Sequence, residues 1–82
     1  MKEIEAYRKA VEQKLSQVRR SLITPLEGMT YCSGYLRCML DQNIVEGVEC
    51  SRELDDMCRK FLEEDARLQR RKEMMEGWLN KE

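Results

Sequence analysis

The chain is predicted to be all-α: a small three-helix up-down-up bundle, or a helical hairpin with a long, coiled-coil-like C-terminal helix. Three observations predict it. Apolar residues recur at steps of three and four through most of the sequence. Leu54, Phe61, Leu68 and Met75 fall seven apart in a tract crowded with charge, the mark of a helix that lies along another helix. The single proline and one strong turn cluster divide the chain into three segments. With 82 residues, one domain spanning 1–82 is expected, near the size where a single core only just suffices. Charged residues make up 38% and aromatics 6%, so the core must be built mainly from aliphatic, Met and Cys side chains.

The first helix is expected over about 3–22. Ile4, Tyr7, Val11, Leu15, Val18 and Leu22 form one face, and the positions between them are mostly Lys, Arg, Glu and Gln. Thr24-Pro25-Leu26-Glu27 then reads as a new start. Thr24 can accept from the unpaired N–H groups of the first turn, Pro25 lacks one of those groups, and Glu27 completes a capping box. The second helix, about 25–41, carries Leu26, Met29, Cys32, Leu36, Met39 and Leu40. Gly28 and Gly34 weaken it by about 1 kcal/mol each against Ala, but small residues let a neighbour approach closely.

Asp41-Gln42-Asn43 is the strongest turn signal, and Asn43 with Glu46 suggests a second, weaker capping box. The third helix is expected over about 45–80. Asp55–Arg59, Asp56–Lys60 and Glu63–Arg67 are acid-first pairs four apart, each worth only ~0.2–0.5 kcal/mol. Short connections make consecutive helices antiparallel, so the first and third run parallel. Residues 1–20 hold six Lys/Arg against three Asp/Glu, and 41–66 hold three against nine, so these two segments attract one another. The third helix is then too long for its neighbours, and its overhang carries Met74, Met75, Trp78 and Leu79.

Catalysis is not predicted. Histidine is absent, which removes the commonest general base and the imidazole zinc sites. Neither a phosphate-cradling loop nor a dinucleotide fingerprint is present. The carboxylates fall on polar helix faces, where solvated charge is expected. No catalytic residue, cofactor or metal is therefore assigned. The net charge of −1 and the short basic clusters Arg19-Arg20 and Arg70-Arg71-Lys72 argue against a nucleic-acid partner, although a small nucleic-acid-binding regulator is one alternative. Pro25, Gly28 and Gly34 break the most apolar stretch, so no membrane span is expected.

Cys32, Cys38, Cys50 and Cys58 allow two readings. The charged start, Met1 to Glu5, lacks the apolar run of a secretory signal. A cytoplasmic location follows, with the cysteines reduced and acting as small hydrophobes. Alternatively, a hairpin bent near Ile44 sets Cys38 opposite Cys50 and Cys32 opposite Cys58 as possible disulfides. That arrangement loosely resembles the disulfide-braced helical hairpins of the mitochondrial intermembrane space. Such proteins use repeated, equal spacings, whereas here five and seven residues intervene.

The favoured expectation is a small protein–protein interaction module: an assembly subunit, adaptor or co-chaperone that docks a partner or itself. Small helical co-chaperones of secretion machines have a similar size and architecture. Leu68, Met74, Met75, Trp78 and Leu79 are the candidate contact residues, because Met adapts its shape and Trp is enriched at binding hot spots.

Overall fold

The computed structural model describes residues 2–79, and the side chains of residues 3–78. It has three helices: α1 (Lys2–Arg19), α2 (Pro25–Asp41) and α3 (Gly47–Leu79). Of the six residues expected on the first helix face, Ile4, Tyr7, Val11, Leu15 and Val18 are buried. They meet Cys32, Leu36 and Met39 from α2, Val45 from the second turn, and Met57 and Phe61 from α3. Fully burying side chains of this size contributes ~1.5–3 kcal/mol each.

The topology is up-down-up. Arg8 pairs with Glu53 at 2.5 Å and Arg19 with Glu64 at 2.8 Å. Each pair is 45 residues apart. A constant offset over three helical turns means that α1 and α3 run parallel and level. Lys60 also reaches Glu12 across this interface, at 3.5 Å. The basic first segment therefore does lie against the acidic part of α3.

The three anticipated intrahelical pairs are not the ones that form. Arg59 meets Asp56, Lys60 turns to Glu12, and Arg67 meets Glu64. A four-apart pair is too weak to hold a long side chain when another carboxylate is within reach.

Both turns end their helices in the same way. At the end of α1, Ser21 N–H donates to the Val18 carbonyl and Leu22 N–H to the Gln17 carbonyl, with Ser21 at φ 60°. At the end of α2, Asn43 N–H donates to Leu40 and Ile44 N–H to Met39, with Asn43 at φ 59°. These are Schellman motifs, which satisfy carbonyls that have no helical partner. They correct two expectations. The first helix stops at Arg19, and Leu22 points into solvent at 61% exposure. Asn43 closes α2 rather than opening α3, because its short polar side chain tolerates the left-handed conformation.

The start of α2 is as expected. Thr24 Oγ1 accepts from Glu27 N–H at 3.1 Å, Thr24 N–H donates to Glu27 Oε1 at 3.2 Å, and Pro25 occupies the first turn. Leu26, expected on the buried stripe, is instead 68% exposed. The face that α2 buries contains Gly28, Cys32, Leu36 and Met39.

Gly28 sets the approach of α2 to α3. A Cβ on it would fall 3.0 Å from both Cδ1 and Cζ of Phe61 and closer still to Cε1. That ring is fully buried and has nowhere to retreat. Gly34, by contrast, faces open space. Gly28→Val is therefore expected to destabilise the bundle by ~2 kcal/mol through overpacking, despite losing a helix-weakening glycine. Urea unfolding followed by circular dichroism measures this, with Gly34→Ala as a control expected to be neutral or stabilising.

Candidate partner interface

Helix α3 carries one stripe at alternating steps of four and three: Cys50, Leu54, Met57, Phe61, Glu64, Leu68, Arg71, Met75 and Trp78. The first part of it faces α1 and α2. Met57, Phe61 and Glu64 are buried, while Cys50, Leu54 and Leu68 pack partly buried against the core. Both shorter helices then run out. Since Arg19 lies level with Glu64, the α1–α2 turn stands near Leu68. Beyond it every described side chain from Arg71 to Trp78 is exposed, including Met74 at 66%, Met75 at 66% and Trp78 at 81%.

Of the sequence-predicted contact residues, the structure thus places Leu68 at the edge of the core and Met74, Met75 and Trp78 in solvent. Leu79 ends α3, and its side chain lies outside the described residues, as does any extension of the helix to residue 80.

Where α3 passes the α1–α2 turn, Leu68 and the turn form a notch at the foot of the overhang, with the turn as its floor. Val18, Ser21, Leu22, Ile23, Thr24, Pro25, Glu27 and Leu68 line a cleft of about 270 Å³ at the corner. Sequence reading missed the floor because Leu22 and Leu26 were assigned to buried faces. Only the left-handed Ser21 reveals that the chain leaves the helix before Leu22. A larger, open groove of about 590 Å³ lies between α1 and α2 at the other end, bordered by Ala6, Tyr31, Gly34, Tyr35, Cys38 and Met39. Lys14 sits 4.3 Å from the centre of the Tyr31 ring.

Glu64 departs from the expectation that every carboxylate is solvated. It occupies a stripe position, is 5% exposed, and accepts from Arg19 Nε at 2.8 Å, with Arg67 at 3.8 Å. Both arginines keep most of their surface in water. Replacing Glu64 alone would leave no buried cation. Glu64→Leu is therefore expected to be neutral or to raise stability by ~1–2 kcal/mol. Loss of the cooperative melt in that variant would show that the ion pair is required for folding.

All four cysteines are free thiols: Cys32 is buried, Cys50 and Cys58 are half-buried, and Cys38 is exposed. No group of three or more metal-ligating side chains is present among the described residues. Burial pushes the Cys32 thiol up to about 11. The Tyr7 hydroxyl is buried without a hydrogen-bond partner among the described residues, its ring 5.7 Å from that of Tyr35. Burial first, then the nearby Cys32 and Glu53, raise its pKa above the ordinary phenol range.

The folded state thus holds both protons more tightly than the unfolded chain does. Stability is fully present below about pH 9 and falls as pH climbs toward 11, with Cys32 contributing on the order of 2 kcal/mol of that loss. Cys32→Ala is expected to flatten the alkaline slope in denaturant titrations run across this window.

Searches against family models, curated proteins and solved structures find no match to this chain. No described helix is long and apolar enough to cross a membrane.

Proposed function

We propose that the chain is a small helical protein–protein interaction module whose docking surface is the overhang of α3 together with the α1–α2 turn. One observation carries this reading: the stripe that seals the bundle continues past it through Met75 and Trp78, where no described residue covers it. Leaving the only Trp of a small domain 81% exposed has a hydration cost that burial against another helix removes.

The overhang is also ready to bind. Continuing an existing helix needs no new nucleation, and Arg, Lys, Glu and Met favour the helical state. Its contact face is therefore held in place before a partner arrives. Assembly subunits, adaptors and co-chaperones use such helix-on-helix docking, and a cytoplasmic setting suits four reduced cysteines.

The basic residues of the bundle support this reading over a nucleic-acid regulator. Arg8, Arg19, Arg59, Lys60 and Arg67 each pair with a carboxylate, so their charge is directed to the chain's own acids rather than to a phosphate backbone. Truncation after Arg71 is expected to leave the bundle's melting midpoint within a few degrees of the full chain while abolishing association with other protein. Thermal circular dichroism reads the first outcome and sedimentation or co-purification the second. An unfolded truncated chain would make the Met/Trp cluster part of the core and end the proposal.

A further inference from the structure

The occupant of the notch follows from the register of the stripe, an argument that rests on the docking surface proposed above. We infer that it is a second copy of this chain, whose overhang lies antiparallel to the first and seats Trp78 in the cleft beside Leu68. The stripe that packs α3 inside the bundle is continuous with the exposed one, so the same side-chain layers can extend across a two-fold axis. Leu68, Arg71, Met75 and Trp78 are spaced so that one antiparallel register satisfies all of them. Leu68 falls opposite Trp78 of the second copy when Arg71 falls opposite its Met75, with both pairings centred on Glu73.

That register brings the Trp78 side chain to the corner of the notch. The cleft there, about 270 Å³ and open to solvent, has room for an indole and presents Val18, Leu22, Ile23, Pro25 and Leu68 to it. Each copy thus supplies both the plug and the socket. This explains why Leu22, which faces the socket, is left 61% exposed in a single chain.

Charge selects the same direction. A parallel pair would set Arg71 against Arg71 on the contact stripe, whereas the antiparallel pair sets Arg71 beside Met75 of the second copy. A parallel pair would also stack the two Trp78 side chains about 15 Å beyond the turn, leaving the cleft unused. The overlap is short, about three helical turns per copy plus the floor. The interface therefore falls at the low end of specific contacts, and its occupancy depends on concentration.

Trp78 is the only tryptophan, so its fluorescence reports the contact directly. The full chain is studied by sedimentation equilibrium and by Trp emission over a dilution series. The expected result is a monomer–dimer equilibrium in which emission shifts to the blue as dimer forms. Trp78→Ala and Leu22→Asp each abolish the dimer, and both leave the circular dichroism melt of the bundle intact because both side chains are exposed. Gly77→Ala, whose Cβ meets open space, is expected to tighten association several-fold by stiffening the overhang.

A chain that stays monomeric at the highest soluble concentration overturns the inference, while truncation that still abolishes binding of another protein would leave the docking surface standing. A dimer lost in Trp78→Ala but kept in Leu22→Asp overturns the antiparallel seating. If Leu22→Asp unfolds the bundle, the emission series on the wild-type chain still decides: a dimer with unshifted Trp emission refutes burial of Trp78.

Discussion

A mismatch of length governs this molecule. Helix α3 has 33 residues and carries its contact stripe along nearly all of them, while α1 has 18 and α2 has 17. A stripe of this kind gains stability only where another surface covers it. The two shorter helices cover it as far as Leu68. Everything distinctive about the surface follows from where they stop: a step, a floor made by a turn, and a helix face that continues in water.

Within the covered part, contact geometry is set by one tight approach. Gly28 lets the fully buried Phe61 ring press against the backbone of α2, in a core that also holds Tyr7, Leu15, Leu36 and Met57. The ion pairs between α1 and α3 complement this packing. Arg8, Glu12 and Arg19 are spaced along α1 so that their partners on α3 meet them only in the parallel, level register. Pairs with one exposed partner add little free energy. Their contribution is to select this alignment over one displaced by a turn. Glu64 is the extreme case, a carboxylate on the stripe itself that is tolerated because Arg19 can reach it from the end of α1.

The same economy appears at the helix ends. A Ser and an Asn, rather than glycines, take the left-handed positions that turn the chain after α1 and α2. Ser21 does so at a conformational cost, and the turn it makes brings Leu22, Ile23 and Pro25 to the foot of the overhang. The part of the backbone that is least favourable locally is therefore the part that shapes the proposed docking floor. Among the described residues no group of three or more thiols and carboxylates converges, and the overhang and floor present apolar side chains set among charged ones.

Much of this was legible from residue order alone. Periodicity specified three helices, Thr24, Pro25 and Glu27 placed the start of α2, and the charge balance of the two segments implied that α1 and α3 lie together. Those features are local or additive, so neighbouring residues determine them. The overhang was legible as well, since it is a matter of comparing lengths. The positions of Leu22, Leu26 and Glu64 were not. Periodicity treats a leucine at the right step as buried and a glutamate as exposed. Which of them meets a neighbour depends on where the chain turns and which side chain a distant arginine reaches. Tertiary packing decided those positions, because burial is a property of the assembled surfaces and not of the spacing along the chain.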